Sequence, residues 1–211
     1  MHAGVLRILG KATSINVRKV LWTCAELGEP YTLEEWGSGF RETDAPEFLA
    51  MNPNALVPVI VDGDFVLWES NSICRYLASS RDRADLLPSA PAARASVEQW
   101  MDWQATELNT SWRYAFVGLV RKNPDFSDPE RIARSVKSWN RMMALLDRQL
   151  EQSGAFVTGR DFTVADIVIG LSTHRWFSTP MERPELPHVT RYYDRLSERS
   201  GFTAHGRNGI P

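Results

Sequence analysis

Two short stretches of this chain carry residues whose types and spacing could do chemistry. The longer is Asn52-Pro53-Asn54-Ala55-Leu56-Val57-Pro58-Val59-Ile60, with Trp68-Glu69-Ser70-Asn71-Ser72 close behind it. Proline donates no ladder hydrogen bond, so Pro58 must stand at a strand start, an edge or a turn. Val59-Ile60-Val61 and Phe65-Val66-Leu67-Trp68 flank Asp62-Gly63-Asp64, the pattern of a β-hairpin. The hairpin hands the chain to Glu69-Ser70-Asn71-Ser72, a helix start with small polar caps and an acid near the positive helix end. Exposed backbone and free helix N–H groups converge at such a place, which suits the carboxylate and amide groups of a small peptide-like ligand. The shorter stretch is Thr13-Ser14-Ile15-Asn16, where a hydroxyl sits at the mouth of an apolar helical pattern. A helix N-cap would by itself account for a serine there.

Both stretches need elements to hold them. Val5-Leu6-Arg7-Ile8-Leu9 reads as a first strand ended by Gly10. Val17, Val20, Leu21, Cys24, Ala25 and Leu27 recur at helical spacing up to Gly28, and Tyr31 to Trp36 forms a second strand, giving β-α-β. Gly37 to Met51 is polar, part loop and part short helix. After the hairpin, a helix runs from about Ser70 to Ala78. Ser79 to Asp85 is polar, with Pro88 and Pro91 beyond it, and marks a boundary. Strand signals then vanish. Ala92 to Gly118 shows a long helical stripe of Val97, Trp100, Met101, Gln104, Leu108, Trp112, Ala115 and Phe116. A second long helix spans Glu130 to about Gln152. Phe162-Thr163-Val164-Ala165-Asp166 opens a third as a capping box, and its apolar run predicts burial all round. A last helix covers about His188 to Ser200.

The 211 residues suffice for one large or two small domains. A hydrophobic content of 43% and a charged content of 24% are those of an ordinary globular chain. The net charge of -2 gives no bulk case for nucleic acid or an anionic membrane surface. No apolar run is long enough to span a bilayer, and Met1-His2-Ala3-Gly4 does not open a secretory signal. Cys24 and Cys74 form no metal-spaced cluster, so a reducing, cytoplasmic setting is expected. Both cysteines read as core.

Three separated motifs occur in a telling order: Ser14-Ile15-Asn16-Val17-Arg18-Lys19-Val20 after the first strand, Asn52 to Ser72, and Phe162 to Asp166. With them the chain resembles the cytosolic glutathione S-transferase superfamily over nearly its whole length, with a serine-type active-site motif of theta or phi character. The resemblance implies an α/β plus all-α fold: a thioredoxin-like β-α-β-α-β-β-α domain over 1–80, a linker over 81–91, and an all-helical domain over 92–211. The implied activity is attack of a glutathione thiolate on a small hydrophobic electrophile, in a homodimer. Glutathione is then a co-substrate, with no metal and no bound cofactor implied. A free thiol titrates near about 8.5. Lowering that value by roughly two needs about 2.7 kcal/mol of preferential thiolate stabilisation, which a hydroxyl and a helix N-terminus can supply.

The resemblance places Ser14 at the thiol, with Thr13 and Asn16 as competitors and the basic-then-apolar pair Lys19-Val20 following. The absence of a cysteine in this stretch argues against the cysteine-type classes. Glu69 and Ser70 would take the γ-glutamyl end, and the Val57 backbone would pair with the cysteinyl part beside a cis Pro58. Leu56 stands where many members carry a lysine or glutamine for the glycyl carboxylate, and Thr43-Asp44 stands where others have His-Lys. Arg41, Thr43 and Asn54 are the remaining candidates for that end. Asn109, Trp112, Arg113 and Phe116 are expected to reach the second substrate, and Asp102 a partner subunit's ligand. Thr163 and Asp166 are assigned to folding. Other glutathione-dependent reactions (isomerisation, peroxide reduction, disulfide reduction) and a non-catalytic binding or scaffold role remain alternatives on the same fold.

Overall fold

The computed structural model describes residues 4–211. The N-terminal half is a four-stranded mixed sheet of order β2-β1-β3-β4, built from β1 (Leu6–Leu9), β2 (Tyr31–Glu34), β3 (Val59–Asp62) and β4 (Phe65–Trp68). The helix α1 (Ile15–Leu27) is the crossover that makes β1 and β2 parallel, in the register Leu6 to Tyr31. β3 and β4 run antiparallel with Val59 opposite Trp68 and Asp62 opposite Phe65. Their hairpin turns at Gly63, whose φ of 63° is one glycine adopts without steric cost. The short α2 (Pro46–Leu49) lies within the polar segment before β3, and α3 (Ser70–Ser80) follows β4 directly.

The remainder is helical: α4 (Pro91–Trp103), α5 (Asn109–Leu119), α6 (Pro129–Ser153), α7 (Val164–Ser178), α8 (Pro187–Leu196) and α9 (Ser200–His205). The fold class expected from the motifs is the one observed. Two details differ from the periodicity. The stripe from Ala92 to Gly118 is divided by a π-helical segment, Gln104–Leu108, and the last expected helix, about His188 to Ser200, ends at Leu196, with a further helix, α9, following from Ser200. A π-turn shifts the buried face by one residue, which a regular helical count does not show.

The α7 helix is buried from Val164 to Trp176, as its apolar run predicted. Its start is held by Asp166, whose Oδ2 accepts from the Thr163 N–H at 2.9 Å and whose Oδ1 accepts from the Val157 N–H at 2.9 Å. α1 lies along α7. The fully enclosed Trp22 packs where a Cβ on Gly170 would come within 3.1 Å of its ring and one on Gly201 within 2.4 Å. Glycine is required at both places by this close approach.

Farther along α1, two buried cations face the helical half. The Lys19 Nζ donates to the Asn71 Oδ1 at 3.0 Å and to the Gln104 Oε1 at 2.8 Å, and the Gln104 amide in turn donates to Asn109 and Ser172. Burial lowers the Lys19 pKa to about 8 from an ordinary 10.5. The unfolded chain therefore binds this proton more tightly than the folded chain. The cost of charging Lys19 is fully present below pH 8 and fades as pH rises towards 10.5. Burial of the Cys24 and Cys74 thiols acts the opposite way above about pH 9, so the expected signature is a difference: relative to Lys19→Met, the wild type should gain stability to urea as pH rises over this window, and a constant difference would show that Lys19 does not carry it. Arg18, also enclosed, donates to the carbonyls of Ile210 at 2.7 Å and Pro211 at 3.0 Å, while His174 Nε2 lies 3.0 Å from the same Ile210 oxygen. Burial holds His174 near 4, so it is neutral at pH 7.

Candidate active site

The sequence places a rigid polar turn where the chain enters β3. Asn52 is buried, and its amide nitrogen donates to the Leu56 carbonyl at 2.7 Å while its Oδ1 accepts from the Asn54 N–H at 3.0 Å. This side chain stands in for backbone pairing through a turn in which Ala55 has a φ of 55°. The Val57-Pro58 peptide is cis. Val57 precedes the first ladder pair of β3 and β4, Val59 with Trp68.

Across a small cleft from this turn stands the start of α3. Glu69 is its N-cap residue, exposed, with φ 72° and ψ 108°. A non-glycine residue in this region costs about 1–3 kcal/mol, strain that tertiary context sustains at functional sites. The Glu69 side chain makes no capping hydrogen bond, so its carboxylate and the first N–H groups of α3 remain open to the cleft. The cleft is lined by Asn16, Asn52, Asn54, Leu56, Val57, Pro58, Glu69 and Ser70. Ser14 lies two residues before Asn16, at the mouth of α1. It is half-buried, and although it occupies the N-cap position its side chain makes no capping bond. Two helix N-termini without side-chain caps therefore open towards one polar cleft, an arrangement suited to anionic groups.

The residues read from the sequence do not all meet here. Asn54, Val57, Pro58, Glu69, Ser70 and Asn16 share the cleft. Arg41 is exposed and stacks on Trp36 at 5.2 Å, outside the lining, and Thr43 is also outside it. Leu56 lines the cleft with its side chain 64% exposed, so no polar group is supplied at that position. Asp102 pairs with Arg75 of its own chain. Cys24 and Cys74 are free and buried, and burial pushes their thiols up to about 12 and about 11.

On the helical side, Trp112 and Phe116 form an edge-to-face pair with centroids 5.5 Å apart. Asn109 is tied to Gln104, and Arg113 is exposed. Sequence reasoning missed Arg175, which is 2% exposed with its guanidinium 4.6 Å from the Trp112 ring and 4.0 Å from the Phe116 ring. It also passed over Asn52, which shapes the turn, and the bridging role of Lys19 and Gln104. The one signal available was a polar residue inside an apolar stripe, as at Gln104 and Arg175. Among the described residues, no group of three His, Cys, Asp or Glu side chains could hold a metal ion, and no helix is long and apolar enough to cross a membrane.

A thioredoxin-like half with an open polar cleft, followed by a helical half, defines the class. The glutathione S-transferase N-terminal domain model matches residues 13–80 and the C-terminal domain model residues 129–195. The chain belongs to the glutathione S-transferase family. It is 39% identical over 197 residues to glutathione S-transferase GstB of Escherichia coli (strain K12), covering 92% of this chain and 94% of that one. It is also similar to the theta class glutathione S-transferase of the citrus canker pathogen Xanthomonas axonopodis pv. citri, solved with glutathione bound. The identity there is 40%, the TM-score 0.89, and the coverage 95% of this chain and 96% of that one. Elongation factor 1-gamma 3 of Oryza sativa subsp. japonica is 32% identical over 163 residues, 74% of this chain and 38% of that protein.

Proposed function

We propose that this chain is a glutathione S-transferase that binds glutathione in the cleft between Asn52 and Ser70 and directs its thiol to the mouth of α1. The observation that carries the reading is the convergence of Glu69, Ser70, the Val57-Pro58 turn and Asn16 on one cleft beneath two helix N-termini without side-chain caps. Glu69 takes the γ-glutamyl ammonium, and Ser70 with the α3 N–H groups takes the adjoining carboxylate. The Val57 backbone, outside the β3–β4 ladder, pairs with the cysteinyl part as an added strand would. Asn54 lines the cleft and is the assigned contact at the glycyl end; Arg41 and Thr43 stand farther off. Ser14 donates to the sulfur, because its hydroxyl is not spent on capping. The thiolate then attacks a small hydrophobic electrophile beside Trp112 and Phe116, with the enzyme positioning and deprotonating rather than supplying a nucleophile of its own. Residues 1–80 form the glutathione-binding domain, 81–91 the linker, and 92–211 the domain carrying the electrophile pocket. The free cysteines suit a cytoplasmic setting, and exposed Phe65 and Val66 on the edge strand β4 suit a homodimer.

Calorimetric titration with glutathione, with the bound thiol's ionisation followed by thiolate absorbance, tests this reading. Binding at millimolar or lower concentration with the thiol pKa lowered by about one to two is expected. No binding at millimolar glutathione would overturn the enzyme. Binding with an unshifted thiol would identify a scaffold.

A further inference from the structure

The helical half holds a buried cation that the glutathione site does not use. Arg175 is enclosed between the Trp112 and Phe116 rings, and among the described residues none of its nitrogens has a hydrogen-bond acceptor; its Nε is fully buried without one. It is not in any of the ion pairs of the described residues. Burial first, then the charges of Arg18 and Arg121, push its pKa well below the ordinary arginine value, and Lys19 is a third cation that interacts with it. Stacking on two rings offsets part of the desolvation, but a guanidinium carries five donors and no ring satisfies them. A buried charge without an anion is costly to keep.

Its position relates it to the thiol site. Along the packed pair of helices, Trp22 of α1 meets Gly170 of α7, and Arg18 shares the Ile210 carbonyl with His174. The two helices therefore run antiparallel, and Arg175, next to His174, packs near the level of Arg18, whose own N–H donates to the Ser14 carbonyl one turn earlier in α1. Arg18 already serves the carbonyls of Ile210 and Pro211. Arg121, exposed and 5.5 Å from the Phe116 ring, adds positive potential at the rim.

We propose that Arg175 is the specificity-determining anchor for a carboxylate on the second substrate, so that the preferred electrophile is an organic acid. The planar carboxylate matches the guanidinium fork, and the Trp112 and Phe116 rings beside Arg175 offer apolar surface to the rest of the molecule. This rests on the glutathione transferase reading and names the substrate class of the same site. For a chloromethyl benzoate, the glutathione sulfur forms a bond to the benzylic carbon, the carbon–chlorine bond breaks, chloride leaves with the electron pair, and the carboxylate on Arg175 is unchanged.

The test uses the full chain with three ligands: glutathione, S-(para-carboxybenzyl)glutathione and its para-carbamoyl counterpart, together with turnover of the two parent benzyl chlorides. The acid is expected to exceed the amide by about tenfold or more in both affinity and kcat/KM. Arg175→Gln should erase that preference, bringing the acid-to-amide ratio to about one; Arg175→Lys should keep part of it. Equal acid and amide values in the wild type overturn the proposal while leaving the transferase intact. Failure to bind glutathione at all overturns the underlying reading, a separate result. If Arg175→Gln does not fold, the wild-type ratio and its fall with added salt still decide the matter.

Discussion

In the Ser14→Ala protein, bound glutathione is expected to titrate close to its free value of about 8.5, and kcat/KM at neutral pH to fall by about 10- to 100-fold. A hydrogen bond to a charged acceptor is worth about 1.5–3 kcal/mol, and the one proposed for Ser14 would be made chiefly to the thiolate, so its loss should appear in the ionisation and the rate. Glutathione affinity should change little, because the proposed hold on the γ-glutamyl end is by Glu69 and Ser70, at the start of α3. The fold should not suffer either. Ser14 occupies the α1 N-cap but makes no side-chain capping bond, so alanine removes no partner there. The measurement is thiolate absorbance against pH, with steady-state rates on a neutral electrophile. Asn16 lines the cleft and is the competing donor. Retention of full thiolate in Ser14→Ala, with its loss in Asn16→Ala, would transfer the role to the amide.

The second large effect concerns stability. Asp166→Ala is expected to cost about 3–5 kcal/mol in urea denaturation. The carboxylate is wholly buried and accepts from the Val157 N–H, the Thr163 N–H, the Thr163 hydroxyl at 3.1 Å and the Tyr192 hydroxyl at 3.1 Å. Alanine leaves those donors without partners in the core at the start of α7. Asp166→Asn keeps one acceptor oxygen but turns an amide towards donors, so it should fall between. Burial raises this carboxyl from 3.8 to about 6, against the pull of its hydrogen bonds. The folded chain holds the proton more tightly than the unfolded one, so the group's contribution to stability rises as pH falls from about 6 towards 4. That pH dependence should vanish in both variants. A loss below about 1 kcal/mol in Asp166→Ala would show that the α7 start is organised elsewhere.

The parts of this molecule that the sequence disclosed are those set by local chemistry. Asp62-Gly63-Asp64 turned where two apolar runs required it, Thr163 and Asp166 formed their box, and Glu69 opened α3. The side of the cleft formed by Glu69 and Ser70 was legible for the same reason, since a hairpin feeding a helix start fixes it locally. Lys19, Gln104 and Arg175 were not legible as a buried set. Each lies on a different helix, and a polar residue within a stripe looks the same whether it faces water or another polar residue. The π-helical segment added a second obstacle, because it resets the face that α5 presents. The contact proposed for the glycyl end stayed open for a different reason: Leu56 is exposed at the cleft and supplies no polar group there, and sequence order does not identify which neighbour would.

Trp22 has a consequence for protein engineering. Its ring, carried on the α/β half, fills the space that Gly170 and Gly201 leave vacant on the helical half. Recombining halves between homologous enzymes, a natural route to new electrophile preferences, therefore transfers a bulky residue and its two glycines as one inheritance unit. A chimera that brings a side chain at either glycine position against Trp22 should fail at assembly, however well each parent half is made. A chimera that carries a small residue in place of Trp22 should assemble with a void at the junction.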